Sequence, residues 1–196
     1  MTTDIDPESG FRLPLRKRDE LSEVGQTYYD RANTPGRHSI VGLRGPAGIR
    51  LYSEQSLEHA QGLNRYLRFE TRFSPRVRET AILITARELD CQFEWTAHEP
   101  EALKEGVPPA VIDVIKHRKA TDGLDEMDAA IIELGREIWV DHKVSAETFA
   151  RAKALFDPQD LVELVMLMGM YANTAALLIA FGMRLRPGQE PLLPVG

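Results

Sequence analysis

The sequence contains only one cysteine, Cys91, among its 196 residues. A single thiol cannot form a disulfide within the chain, and it cannot supply a cysteine-rich metal site. Basic residues are also in deficit, because 24 Lys and Arg stand against 30 Asp and Glu and give a formal net charge of -6. Nucleic-acid-binding proteins usually carry a basic excess. We therefore expect no nucleic-acid partner.

Two further patterns are missing. The opening residues, MTTDIDPESG, are polar and acidic and contain neither the basic nor the apolar region of a signal peptide. We therefore expect a cytoplasmic protein. No run of alternating apolar and polar residues is long enough to be a confident strand, and this favours an all-α fold.

Length and composition are those of one globular domain. The chain is 43% hydrophobic and 28% charged, and a chain of this length buries a substantial core. We predict a flexible N-terminal tail over residues 1–13, a single all-helical domain over residues 14–186, and a C-terminal tail over residues 187–196.

Apolar periodicity and helix-start signals divide the domain into helices. The predicted helices cover residues 16–32, a segment that begins at Ser53 or Ser56 and ends near residue 69, and residues 74–89, 91–105, 110–119, 125–140, 145–156 and 157–183. Within the second of these, Leu57, Ala60, Leu63 and Leu67 are expected to face inward. Residues 33–48, with GLRGPAG at their centre, are predicted as a long loop because they are rich in Gly and Pro.

The segment from Leu161 to Phe181 is apolar for about the length that crosses a bilayer. Glu163 and Asn173 interrupt it, and the chain has no second segment of this kind. We interpret it as a buried core or interface helix and expect no membrane partner. Because it carries more apolar surface than a chain of this size easily hides, we predict a homo-oligomer with this helix in or beside the contact.

Ionisable residues cluster inside the most apolar part of the chain, SPRVRETAILITARELDCQFEWTAH. Glu79 shares a helical stripe with apolar residues three, four and seven positions further on. Cys91, Glu94, Trp95 and His98 then recur at helical spacing. A buried ionisable cluster is costly unless its members are paired, so its presence indicates a functional site.

The residue types in this cluster favour proton transfer. Glu94 and His98 stand at i and i+4 on one helix face, where a carboxylate makes an imidazole a better base. Such a pair suits proton abstraction next to a carbonyl, or reprotonation of a carbon after carbon dioxide leaves. Cys91 near the start of its helix would feel the positive end of the helix dipole, which favours a thiolate. Glu79 is placed to pass a proton to either group.

Each of these residues also has a purely structural interpretation. Cys91 can be a small buried hydrophobe, and His98 a core histidine bonded to Glu94. Glu79 can pair with a nearby arginine, and Trp95 can be core or the wall of a pocket. A thiolate, an imidazole and carboxylates can also bind zinc, but nothing in the spacing demands it. We therefore predict no metal and no other cofactor.

The spacing of the cluster resembles the carboxymuconolactone decarboxylase superfamily, which includes the alkylhydroperoxidase D proteins. In the peroxidase branch the motif is Glu, eleven residues, Cys-x-x-Cys, three residues, His. Glu79, Cys91 and His98 match it, and Glu94 stands at the second cysteine. In the decarboxylase branch the cysteines are absent and a glutamate precedes the histidine by four residues, as Glu94 precedes His98. The closing YANTAALLIAFG is also similar, and the resemblance spans about residues 40–185.

The resemblance implies an alkylhydroperoxidase D-like helical bundle that assembles as a trimer, hexamer or related ring. It leaves three functions open. The first is a cofactor-free lyase or isomerase acting on a small carboxylated or lactone-like molecule. The second is a thiol peroxidase, in which Cys91 attacks a peroxide and an external thiol resolves the sulfenic acid. The third is a non-catalytic helical oligomer.

We favour the lyase or isomerase, with His98 and Glu94 as acid and base. Because Glu94 occupies the place of the second cysteine, this chain cannot run an intramolecular disulfide cycle. A carboxylated substrate would need a cation in the pocket, for which we select Arg44 of the GLRGPAG loop, with Trp95 as a second substrate contact.

Overall fold

The computed structural model describes residues 4–34 and 40–194. Over these residues it contains nine α-helices and no strand, which confirms the all-α fold class. The helices are α1 Glu23–Asn33, α2 Gly48–Arg50, α3 Glu54–Phe69, α4 Pro75–Glu88, α5 Gln92–Lys104, α6 Pro109–Lys116, α7 Glu126–Arg136, α8 Ala146–Leu155 and α9 Pro158–Ala180. A 3₁₀ turn covers Arg18–Glu20, and π-type turns cover Leu43–Ala47 and Glu137–Asp141.

The chain divides into two compact units. The first consists of Met1–Tyr66 and Ala176–Glu190, and the second of Leu67–Ala175 and Pro191–Gly196. The division falls within α3 and within α9. The predicted boundaries after residues 13 and 186 stay predictions.

In the first unit, a hydrophobic cluster forms around α1 and the turns that follow it. Its buried members are Leu21, Ala32, Leu43, Ala47, Leu51 and Leu57. The helix predicted over residues 16–32 is wrong in its first half, because Ser22 interrupts it. The Ser22 side chain accepts a hydrogen bond from the Gly25 amide and so begins α1 at Glu23.

The predicted loop over residues 33–48 is wrong in its second half. Leu43–Ala47 forms a π-type turn that continues into α2. Gly48 is required there, because a Cβ at this position would lie 2.2 Å from the Leu43 carbonyl oxygen. Pro35 to Ser39 of the predicted loop lie outside the described residues.

The N-terminal residues pack within the first unit. Ser9 and Phe11 are fully buried, and the Arg12 amide donates to the Phe181 carbonyl at 2.9 Å. The prediction of a flexible tail over residues 1–13 did not include this packing. Of the α3 residues expected to face inward, Leu57 and Leu67 are buried, whereas Leu63 is 47% exposed and Ala60 is also exposed.

The second unit is built around α4. Every residue from Glu79 to Arg87 is buried, and the helix packs chiefly against α5 and α7. The expected Ser-Pro start is confirmed: Ser74 accepts from the Val77 amide, and Pro75 occupies the first helical position. Because this stretch of α4 is buried around its circumference, any ionisable group within it is withdrawn from water.

The predicted break between α4 and α5 is also confirmed, and it has the geometry of a Schellman motif. Asp90 adopts a left-handed conformation with φ 48°. The Asp90 amide donates to the Arg87 carbonyl at 3.0 Å, and the Cys91 amide donates to the Ala86 carbonyl at 2.8 Å. The Asp90 carboxylate is held by Arg87 and by Arg118. This junction fixes the direction in which α5 leaves α4.

The apolar helix α9 ends at Ala180, three residues earlier than expected, since Gly182 takes a left-handed conformation with φ 61°. By length and composition alone α9 is long enough to cross a membrane, and 44% of its most apolar window is buried inside the protein. Large apolar side chains on its other face are exposed, among them Val162, Val165 and Met166.

Candidate functional site

His98 lies between two carboxylates that come from different helices. Its Nδ1 is 2.8 Å from Oε2 of Glu79 on α4, and its Nε2 is 3.4 Å from Oε2 of Glu94 on α5. All three side chains are buried, with at most 6% of each residue exposed. The structure therefore brings together three of the six predicted site residues, with a hydrogen bond between His98 and Glu79 and a 3.4 Å ionic contact between His98 and Glu94.

The geometry places one carboxylate at each ring nitrogen of His98. A neutral imidazole carries one N–H and can donate to only one partner. Both ring nitrogens of His98 face carboxylate oxygens, so a proton on either nitrogen has an acceptor within reach. The Glu79–His98–Glu94 chain can thus hold a proton and move it along its length.

Glu79 has His98 as its close partner rather than an arginine. Of the three nearby arginines, Arg76 pairs with Asp128 and Arg87 pairs with Asp90. Only Arg78 approaches Glu79, with its Nε 4.0 Å from Oε1. The contacts of Glu79 therefore favour a role beside the His98 imidazole over a purely structural ion pair with an arginine.

Cys91 is the N-cap residue of α5 and is 2% exposed. The pKa of its thiol is raised to about 12, chiefly by burial and to a smaller extent by the nearby Glu94 carboxylate. The backbone amides of Glu94 and Phe93 act in the opposite direction but are outweighed. The helix terminus therefore favours the thiolate as expected, but desolvation of the charged form exceeds this stabilisation and keeps the thiol protonated.

The remaining predicted site residues have other contacts. Trp95 is fully buried, and its indole N–H donates to Glu99. Arg44 belongs to the first compact unit, where its guanidinium donates to the Pro7 carbonyl at 3.4 Å. Contact of either residue with a substrate stays a prediction. In the part of the chain that the structure describes, no group of three His, Cys, Asp or Glu side chains is arranged to hold a metal ion.

Tyr171 on α9 is a neighbour of the site that the sequence did not single out. Its ring stands at 86° to the His98 ring with the centroids 5.2 Å apart, an edge-to-face contact. Burial raises the pKa of its phenol, so the hydroxyl stays protonated. Helical periodicity placed Tyr171 in an apolar helix, but it could not show that this face of α9 meets α5.

The family comparison covers the helices that carry the site. Residues 54–134 match the model of the Carboxymuconolactone decarboxylase family. Over this stretch the chain is similar to the carboxymuconolactone decarboxylase family. The stretch contains Glu79, Cys91, Glu94 and His98, so the family resemblance inferred from their spacing is confirmed. A comparison with curated proteins found no match.

Similarity to the carboxymuconolactone decarboxylase family is compatible with decarboxylase and with peroxidase chemistry. It does not select a substrate, an activity or an assembly for this chain. The choice between the chemistries rests on the side chains that this sequence places at the motif.

Proposed function

We propose that this protein is a cofactor-free lyase or isomerase that acts by general acid–base catalysis on a small carboxylated or lactone-like molecule. The observation that carries the proposal is the position of His98, buried between the carboxylates of Glu79 and Glu94. An imidazole in this arrangement has a partner on each nitrogen, so it can receive a proton on one side while it releases one on the other.

In a lyase reaction the proton ends on carbon. The bond between the substrate carbon and its carboxylate breaks, carbon dioxide leaves, and the electron pair remains on the carbon. That pair must be delocalised into a carbonyl, so the lost carboxylate lies β to a carbonyl group or is conjugated with one. The protonated His98–Glu94 pair then delivers one proton to the carbon, and solvent returns one proton to the pair.

In an isomerase reaction the same groups act twice. His98 or Glu94 removes a proton from a carbon next to a carbonyl, and the pair returns it to a different carbon of the delocalised anion. Glu79 stabilises the imidazolium that forms in between, because it accepts from Nδ1 at 2.8 Å. Proton transfer by positioned groups accelerates such reactions by about 10²–10⁴-fold.

A thiol peroxidase is the alternative that the family leaves open. It requires a thiolate, because the thiol form is a poor nucleophile toward peroxide. Burial holds the Cys91 thiol protonated, with its pKa raised to about 12, and Glu94 replaces the second cysteine of the peroxidase motif. Both features favour acid–base chemistry over peroxide reduction.

Single substitutions separate the two activities. We expect His98→Ala and Glu94→Gln each to lower kcat by about 10²–10⁴-fold toward a carboxylated lactone substrate, because each removes a member of the acid–base pair. Cys91→Ala should change kcat little. The measurements are carbon dioxide release and lactone absorbance over a panel of carboxylated lactones and unsaturated acids.

A second assay follows the loss of cumene hydroperoxide with a dithiol reductant. Robust peroxide turnover that Cys91→Ala abolishes would overturn the proposal and establish the peroxidase. Absence of turnover in both assays would instead favour a non-catalytic helical oligomer.

A further inference from the structure

The arginines on and beside α4 differ in how their charge is compensated. Arg72, Arg76 and Arg87 each meet an aspartate carboxylate within hydrogen-bonding distance. Among the described residues, Arg78 has one ionic contact, the 4.0 Å approach of its Nε to Glu79, and its side chain donates no hydrogen bond. Its guanidinium carries five N–H donors. These donors are therefore largely available to a group that is not part of the described protein.

Arg78 is also largely withdrawn from bulk water, with 15% of its side chain exposed. A buried charge is costly unless an opposite charge and hydrogen bonds compensate it. One contact at 4.0 Å compensates it poorly. The side chain is thus placed as a binding group would be, with most of its surface buried and its donors unused.

The position of Arg78 connects it to the proton-transfer chain. Arg78 directly precedes Glu79 on α4. The charges that act on the buried Tyr171 hydroxyl are those of Arg68, Glu94, Glu79 and Arg78. The charge of Arg78 is thus close enough to act on the Tyr171 phenol, whose ring meets His98 edge to face.

We propose that Arg78 is the group of this site that binds a carboxylate of the substrate. This inference rests on the proposed function, because it assumes that the site has a substrate. Glu79 and Glu94 would repel an anion that approaches His98, and a guanidinium next to Glu79 offsets that repulsion. Its planar fork matches a carboxylate and can bind it through two N–H groups.

The carboxylate bound by Arg78 is one that the reaction retains. A guanidinium on a departing carboxylate would stabilise the ground state more than the transition state, in which the charge has left that group, and would slow its loss. In a lyase reaction the substrate would therefore carry a second carboxylate that remains in the product. In an isomerase reaction one carboxylate suffices.

The test measures binding at equilibrium, without turnover. Benzoate and its neutral isostere benzamide are titrated into the full-length protein, with calorimetry for affinity and the ¹⁵N-labelled Arg78 Nε–H resonance as a direct reporter. We expect benzoate to bind and to shift this resonance, and benzamide to do neither. Arg78→Gln should weaken benzoate binding by roughly 10–100-fold, the loss expected for charge-assisted hydrogen bonds.

Matched variants separate a binding role from a structural one. Arg72→Gln removes the same charge from an exposed arginine and should leave benzoate affinity within about twofold of wild type. Arg78→Lys keeps the charge without the fork and should fall between wild type and Arg78→Gln. Circular dichroism checks that each variant is folded, and the Arg78 resonance of the wild-type protein reports on binding even if Arg78→Gln does not fold.

Three results would overturn the inference: no benzoate binding at millimolar concentration, equal affinity for benzamide, or unchanged affinity in folded Arg78→Gln. Carboxylate binding that depends on Arg78 would stand even if no lyase or isomerase activity were found. Turnover that depends on His98 but not on Arg78 would support the proposed function and would show that Arg78 is not its carboxylate-binding group.

Discussion

His98 has two carboxylate contacts, and they arise in different ways. The contact with Glu94 is local, because residues four apart on α5 face the same direction. The contact with Glu79 joins two helices and depends on the angle that the Asp90 junction sets between them. Only the second contact turns a helix-surface pair into a buried three-member chain.

The thiol of Cys91 should make the protein less stable in alkali. Its pKa is raised from 9.0 to about 12 on folding, so between these values the unfolded chain has lost a proton that the folded chain keeps. The stabilisation is complete below pH 9 and falls as pH rises toward 12, by at most about 1.4 kcal/mol per pH unit. Guanidinium unfolding at several pH values between 8 and 11 measures this slope.

The Cys91→Ala variant is the control for this slope. It removes the thiol titration and leaves the phenol of Tyr171, whose pKa is also raised by burial, so its slope should be shallower than that of wild type. Equal slopes in the two proteins would show that Cys91 does not titrate as proposed. The free thiol should also resist iodoacetamide in the folded protein at neutral pH and react after unfolding.

At the scale of helices, α4 contacts α7 closely enough to require a glycine. A Cβ added to Gly135 of α7 would lie 2.8 Å and 2.9 Å from two side-chain carbons of Ile84 on α4. Real Cβ atoms do not approach other atoms so closely, so the helices would have to move apart. Since Ile84 lies on the same helix as Glu79, this packing also supports the site.

We therefore expect Gly135→Ala to destabilise the protein by about 1–3 kcal/mol, the usual cost of overpacking a core, despite the better helix propensity of alanine. Gly62→Ala is the matched control. Gly62 lies within α3, and nothing lies within 4 Å of an added Cβ. That change should stabilise by up to about 1 kcal/mol. Urea unfolding of the two variants tests both signs, and a stable Gly135→Ala protein would contradict the close contact.

At the scale of the whole molecule, the exposed apolar face of α9 supports the proposal of a homo-oligomer. Val162, Val165 and Met166 are exposed at helical spacing on a helix whose other side is buried. A contiguous apolar surface of this kind is typical of an interface between copies of a chain.

We predict a trimer or hexamer by light scattering at micromolar concentration. Met166→Glu should shift the mass toward the monomer, because it places a charge in the apolar contact. Ala150→Glu, on the exposed side of α8, adds the same charge outside the predicted interface and should leave the mass unchanged. A monomeric wild-type protein would contradict this prediction.

Most of the helices and much of the site could be predicted from the sequence. The Ser74-Pro75 start, the break at Asp90 and the shared face of Glu94 and His98 depend on residues a few positions apart, and their geometry follows from local hydrogen bonding. The interruption at Ser22 was missed because a serine inside a polar segment is a weak signal. The exposure of Leu63 was missed because periodicity identifies an apolar face but not how much of it is covered.

The sequence by itself determined an all-α chain and an acid–base pair on one helix, since both follow from spacing along the backbone. Only the tertiary structure decided which groups complete that pair. It brought Glu79 and Tyr171 to His98, left Arg78 with a single long contact, and buried Cys91 so that its proton is retained. These outcomes depend on which helix faces meet and how far they exclude water, and contacts between residues distant in sequence determine both.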